Sequence, residues 1–280
     1  MKKIIVPVDF SEHSKYALET AATLAKKINA EILAIHMLEM SENVLTSSGS
    51  EQNANAIFYL KLAEKEFDAL LEQDYLEGVT VTPIIKHYKV FKELNDVAIE
   101  HNADLIIMGS HGSSGAKEYF VGSNTEKVVR HSNIPVLVIK NKPFQSSKMD
   151  TAIFACDFKD EAIGAYISAK KMFKLLNTQM FLLYVNLSSE NFLSSTEIEK
   201  RVFNFLMKAD GSLESMNDVH YVSDYTVEKG IVNFANKIKA DLISLPTHGR
   251  KGISHFFEGS ISEDLANHST IPVMTFKIQK

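Results

Sequence analysis

The sequence predicts an α/β protein built as two tandem, doubly wound domains, and three observations carry that prediction. The chain repeats itself: Asp104–Lys140 laid over Asp241–Lys277 is identical at 16 of 37 positions without a gap, where chance would give roughly two or three. Within each copy, short β-rich apolar runs alternate with segments of helical periodicity, the pattern of a parallel sheet with helices on its faces. The strand runs are nearly continuous in apolar character, as strands covered on both faces are. Each copy is about 140 residues, an ordinary domain size. The domains are therefore read as 1–142 and 150–280, with the polar stretch 143–149 as linker.

In the first copy the strands are "KIIVPVD", "EILAIHM", "VTVTPIIKHY", "DLIIMG" and "PVLVIK". Between the first two, residues 11–28 set Ala17, Leu18, Ala21, Leu24, Ala25 and Ile28 on one helical face behind Ser11, a suitable N-cap. Asn53–Gln73 and Phe91–Asn102 are the next two helices, and "NTEKVVRHS" carries a fourth, with Ser123 and Glu126 at capping-box spacing. The second copy keeps this order with a shorter middle. Its "AIFACDF" answers "IIVPVDF", so Asp9 and Phe10 fall on Asp157 and Phe158. Thr196 and Glu199 read as a capping box opening "EIEKRVFNFLMKA". The terminal strands "PVLVIK" and "PVMTFK" are apolar and would leave open edges unless paired, which predicts that the copies join through them as an internal pseudo-dimer.

Composition excludes several function classes. A hydrophobic share of 45% and a charged share of 23% suit a globular chain with a sizeable core. A formal charge of −5 with scattered cations gives no field for nucleic acid or an anionic membrane. The single cysteine, Cys156, excludes an internal disulfide framework and a cysteine-ligated zinc, and suits a reducing cytoplasm. No run reaches the length of a membrane span, and Met1-Lys2-Lys3 leads into an apolar segment too short for a secretory leader.

The glycines point to a site. Four of the twelve fall within Gly109–Ser123, "GSHGSSGAKEYFVGS". In an open α/β sheet, ligands sit outside the carboxyl ends of the strands where the winding reverses. Asp9 ends the first strand and Gly109 the fourth; if these strands are neighbours, both face one crevice. Bare backbone lets amides approach an anion and permits positive φ at turns, and a helix beginning at Gly122-Ser123 aims free N–H groups at the same place. Turn formation alone accounts for such glycines equally well, and Asp9 can be read as an acid that caps the first helix. Neither G-x-x-x-x-G-K-[ST] nor G-x-G-x-x-G occurs, which removes P-loop NTPases and ordinary dinucleotide-binding dehydrogenases.

"IIVPVDFSEHSKYAL", the strand end "AIHM", and above all Gly109-x-x-Gly112 followed after nine residues by Gly122-Ser123 resemble the ATP-binding branch of the universal stress protein family. The resemblance spans the chain as two tandem copies. It implies Rossmann-like domains of the adenine nucleotide alpha hydrolase-like type, each with five parallel strands between helices, often paired through the last strand. It implies an adenine nucleotide ligand, ATP or else ADP or AMP, with or without Mg2+. Carried over, Asp9 contacts the adenine, Met37 and Met108 line base and ribose, and Gly109, Ser110, Gly112, Gly122, Ser123 and Asn124 hold ribose and phosphates. In the second copy Asp157, Thr247, Gly249, Gly259 and Ser260 answer to a weaker site. There Pro246 replaces the first glycine and Ala155 the proline before the aspartate, while Arg250 and Lys251 add positive charge.

Other residues read as structural. His111 and His248 match between copies but lack partners at metal-ligand spacing, so no metal site is expected. His131 and His268 suit helix C-termini, and Cys156 suits a buried strand. No nucleophile, base and orienting group come together, so no catalytic residue is assigned. Three functions stand: a non-catalytic nucleotide-binding module of stress signalling; a slow ATP hydrolase or nucleotidyl-transferring enzyme; and a dimerising scaffold with a vestigial nucleotide site. The glycine loop favours the first over the third, and the missing catalytic lysine favours it over the second. The expected partners are adenine nucleotide and the other copy, with a further homodimer compatible and no nucleic acid or membrane; the protein partner is not legible.

Overall fold

The computed structural model describes residues 1–38, 50–87, 90–110, 123–140, 149–188, 192–247 and 269–278. The first copy contributes β1 (Lys3–Pro7), α1 (Glu12–Ile28), β2 (Glu31–Leu38), α2 (Ser50–Leu71), β3 (Val81–His87), α3 (Val90–Glu100), β4 (Leu105–Gly109), α4 (Ser123–His131) and β5 (Val136–Ile139). The second contributes β6 (Thr151–Ala155), α5 (Ile163–Leu176), β7 (Gln179–Leu187), α6 (Ser195–Asp210), β8 (Val219–Asp224), α7 (Val227–Ile238), β9 (Leu242–Thr247) and β10 (Val273–Lys277).

The ten described strands form one sheet in the order β3-β2-β1-β4-β5-β10-β9-β6-β7-β8. Within each half the pairings are parallel, and the winding reverses between β1 and β4 and again between β6 and β9. The halves meet where β5 and β10 run antiparallel, Val138 opposite Val273 and Val136 opposite Thr275. Each apolar terminal strand thus covers the other's edge, the arrangement its composition calls for.

The pleat sends alternate residues of β1 to opposite faces. Ile4 and Val6 join a core on the α1 and α5 side that runs on through Leu137, Met274 and Phe276 into the second half. Ile5 joins a separate core with Leu33, Ile35, Ile106 and Met108 beneath Leu94 and Val97 of α3 and Val128 and Val129 of α4.

Local chemistry sets the helix ends. The Ser11 hydroxyl accepts from the Ser14 N–H at α1, and Asn29 closes that helix in the left-handed region at φ 52°. The capping box of α6 is formed by Ser194 and Glu197, not by Thr196 and Glu199 as the sequence suggested. Both pairs satisfy the spacing. Only the Ser194 register sets apolar residues, Leu193 and Ile198, at the two positions of a hydrophobic staple.

Candidate functional site

β1 and β4 lie side by side, with Ile4 opposite Leu105 and Ile5 opposite Ile106. The carboxyl ends of these strands, which carry Asp9 and Gly109, therefore open onto the same edge of the sheet at the point of reversal. The two readings of Asp9 are compatible in this geometry. Its Oδ1 accepts from the Ser11 N–H at 3.1 Å and the Ser11 hydroxyl at 2.6 Å, so it steadies the N-cap of α1 while remaining half-exposed at the crevice.

The turn between Asp9 and α1 depends on an unusual backbone. Phe10 has φ 63° and its counterpart Phe158 has φ 53°, a conformation disfavoured for a bulky side chain. Repetition of that strain in both copies marks a constrained turn next to the switch point. Phe10 packs on His36 at a ring-centroid distance of 4.6 Å and on Phe67 at 5.3 Å. Phe158 packs on Tyr184 at 6.3 Å and on Phe205 at 5.3 Å, which occupy the matching places on β7 and α6. His36 in turn contacts the Val8 carbonyl oxygen through Nδ1 at 2.7 Å, tying β2 to the end of β1. These trios were not singled out in the sequence; the signal for them is that Phe follows Asp in both copies.

Gly109 is bare for a reason the sequence did not reveal. A Cβ built there would lie 2.7 Å from the His13 carbonyl oxygen and 2.9 Å from the His13 Cβ, so the first turn of α1 rests directly on the end of β4. Pro246 holds the matching place in β9, opposite Phe276 of β10. In that half the chain forms a 3₁₀ turn at Asp160–Ala162, and the α-helix proper starts only at Ile163.

Thr125, also missed from sequence, tethers the other wall: its buried hydroxyl donates to the Gly109 carbonyl oxygen at 3.0 Å, fixing the first turn of α4 over the end of β4. Its counterpart in the repeat is Ser262, another hydroxyl, and that match was the available signal. Asn124 is exposed in the same turn, and Ser123 is the first residue of α4. The Glu126 carboxylate pairs with Arg130 at 3.1 Å.

Two of the expected ligand contacts also bond to the neighbouring strand. Ser110 is fully buried and its N–H donates to the Ile139 carbonyl oxygen at 2.9 Å, which engages that amide in the sheet. Thr247, its partner in the repeat, is buried with its hydroxyl directed to the Phe276 carbonyl oxygen at 3.4 Å. Met37 and Met108 are likewise buried, within the core under α3 and α4. Gly112, Gly122, Gly249, Gly259 and Ser260, together with His111, His248, His268, Arg250 and Lys251, lie outside the described residues.

The second copy's aspartate is in a different state. Asp157 is 3% exposed; its Oδ1 accepts from the Lys159 N–H at 3.2 Å and its Oδ2 faces Lys159 Nζ at 2.9 Å, an ion pair without hydrogen-bond alignment. Beside it a cleft of about 810 Å³ opens between the 3₁₀ turn and α6, with Phe158, Lys159, Leu193, Arg201 and Lys208 among its lining. Cys156 is buried at the end of β6, and burial pushes its thiol far above the usual range, leaving it chemically quiet. His131 contacts the Lys127 carbonyl oxygen through Nδ1 at 2.8 Å in the last turn of α4, as a structural histidine. Among the described residues no cluster of three or more His, Cys, Asp or Glu is placed to hold a metal ion. None of the described helices is long and apolar enough to cross a membrane.

Comparison with known proteins bears on the family and the fold. Residues 1–140 and 149–277 each match the universal stress protein family. Among curated relatives, universal stress protein MJ0531 of Methanocaldococcus jannaschii is 32% identical over 149 residues, which span 50% of this chain and 82% of that protein. Universal stress protein YxiE of Bacillus subtilis is 30% identical over 151 residues, 49% of this chain and 98% of its own. A crystal structure of a universal stress protein from Archaeoglobus fulgidus shares the fold over nearly the full length, with a TM-score of 0.67 at 23% identity, covering 99% of this chain and 97% of that one.

Proposed function

We propose that this chain, which belongs to the universal stress protein family and carries its domain twice, is a non-catalytic adenine nucleotide-binding module whose working site is in the first copy. The observation that carries the reading is the convergence of Asp9, Gly109 and the first turn of α4 on one crevice at the point of reversal. Asp9 is half-exposed there and able to accept a hydrogen bond from the base. Thr125 holds α4 so that its N-terminal amides, beginning at Ser123 and Asn124, face the same opening; such a terminus favours a phosphate. The loop glycines Gly112 and Gly122 complete the phosphate contacts in this reading, and Met108 and Met37 support the floor from within the core. ATP, ADP and AMP all fit the class, with or without Mg2+.

The non-catalytic reading rests on side-chain chemistry. Dedicated phosphoryl-transfer sites combine a positioned base with a cationic clamp on the transferring group. Around Asp9 and Gly109 the described side chains include Ser11, His13 and Thr125, and Asp9 is engaged with the N-cap of α1. The test is mass spectrometry of small molecules released on denaturing the purified chain. An adenine nucleotide in the released fraction supports the reading. A chain that releases none, and takes up none when incubated with ATP, refutes it.

A further inference from the structure

We infer that Lys159 fills the second copy's switch-point site, so that the chain takes one adenine nucleotide rather than two; this rests on the reading of the first copy's site given above. The copies superpose in register here: β6 pairs with β7 and β9 as β1 pairs with β2 and β4, and each aspartate is followed by a phenylalanine at positive φ. The divergence comes two residues after the aspartate, at Ser11 in one copy and Lys159 in the other. The Ser11 hydroxyl donates to Asp9 Oδ1 at 2.6 Å, and Asp9 stays half-exposed. Lysine engages both oxygens of Asp157, one through its N–H at 3.2 Å and one through its ammonium at 2.9 Å, and leaves the carboxylate 3% exposed.

A neutral donor on a ligand, such as an amino group or hydroxyl, must displace that ammonium to reach Asp157. The exchange would leave a buried carboxylate without its counter-charge, which is strongly unfavourable. The 3₁₀ turn after Lys159 is joined to α6 by Lys208 Nζ on Asp160 Oδ2 at 2.6 Å. Pro246 stands where the first copy has the glycine that lets a helix close against the strand end.

The test transplants the device. In calorimetric titration with ATP, Ser11→Lys should weaken binding at the first copy at least tenfold. Ser11→Ala, which removes the same N-cap hydroxyl without adding an ammonium, should bind ATP at least tenfold more tightly than Ser11→Lys. In the reverse direction, Lys159→Ser combined with Pro246→Gly should raise the stoichiometry from one ATP per chain to two, while Pro246→Gly alone leaves it at one. The inference is overturned by wild-type affinity in Ser11→Lys, by two sites in the wild type or in Pro246→Gly alone, or by a single site in the double variant that retains the wild-type thermal melt. A wild-type chain that binds no ATP overturns the functional reading and this inference with it.

Discussion

Replacing Gly109 with alanine probes the contact on which the first copy's crevice is built. The added Cβ would meet the His13 carbonyl oxygen at 2.7 Å, the His13 carbonyl carbon at 2.8 Å and the His13 Cβ at 2.9 Å. Two of those three atoms are backbone, so no rotamer change relieves them, and α1 must move off the end of β4. Overpacking of this kind costs about 1–3 kcal/mol. For a chain of this size each kcal/mol lowers the melting temperature by roughly 2–4 °C, so a fall of several degrees is expected. Because α1 begins at the N-cap that Asp9 steadies, the same shift separates Asp9 from α4 and should weaken ATP binding. Gly164→Ala is the control: nothing lies within 4 Å of its added Cβ, and alanine in place of a helical glycine contributes up to about 1 kcal/mol. Urea and thermal unfolding of both variants, with ATP calorimetry on Gly109→Ala, decide the matter. A Gly109→Ala chain with wild-type midpoint and affinity would refute the close approach and the role given to it.

Thr125→Val keeps the shape of the side chain and removes the hydroxyl on the Gly109 carbonyl oxygen; about 1–2 kcal/mol of stability should go, and ATP affinity should fall with it, whereas unchanged values would show that the tether is idle. Lys140 is buried at the end of β5, and burial lowers its amine to about 8. The unfolded chain therefore holds more protons than the folded one between pH 8 and the ordinary lysine value, and this group's contribution to stability rises with pH through that window. Lys140→Met should remove that rise, measured as the difference in urea midpoints between pH 7 and pH 10; the same slope in the variant would contradict the assignment. Lys239 ends α7 exposed at φ 55°, so Lys239→Gly should stabilise the chain by about 0.5–1 kcal/mol, and a lower melting temperature would count against it. ATP turnover by the wild type should stay near the uncatalysed background, and a rate on the order of 1 s⁻¹, ordinary for a phosphoryl-transfer enzyme, would move the protein to the enzyme class.

The fold was legible because its signals are redundant: the repeat, the strand–helix alternation and the buried apolar runs all point to the same sheet, and the apolar strands 136–139 and 273–277 announce their pairing. The switch point followed from strand order, so Asp9 and Gly109 were legible as neighbours. What escaped depends on side-chain reach rather than pattern. A glycine beside a strand end looks the same whether a phosphate or a helix turn approaches it, and at Gly109 the structure shows His13. Ser110 and Thr247 also bond to the neighbouring strand, Ser110 through its N–H and Thr247 through its hydroxyl, a role that composition does not announce. The expectation of a weaker second site came from Pro246 and Ala155. Lys159 carried no sequence signal, since a lysine two residues after an aspartate is commonplace until burial of that aspartate makes the pair consequential.

The most direct measurement of the central claim is calorimetric titration of the intact chain with ATP, run on the wild type and on Gly122→Val, which sets a branched side chain in the loop leading into α4. The account predicts one ATP per chain for the wild type and loss of binding in Gly122→Val at an unchanged melting temperature. Absence of binding in the wild type, or equal affinity in the variant, would contradict it.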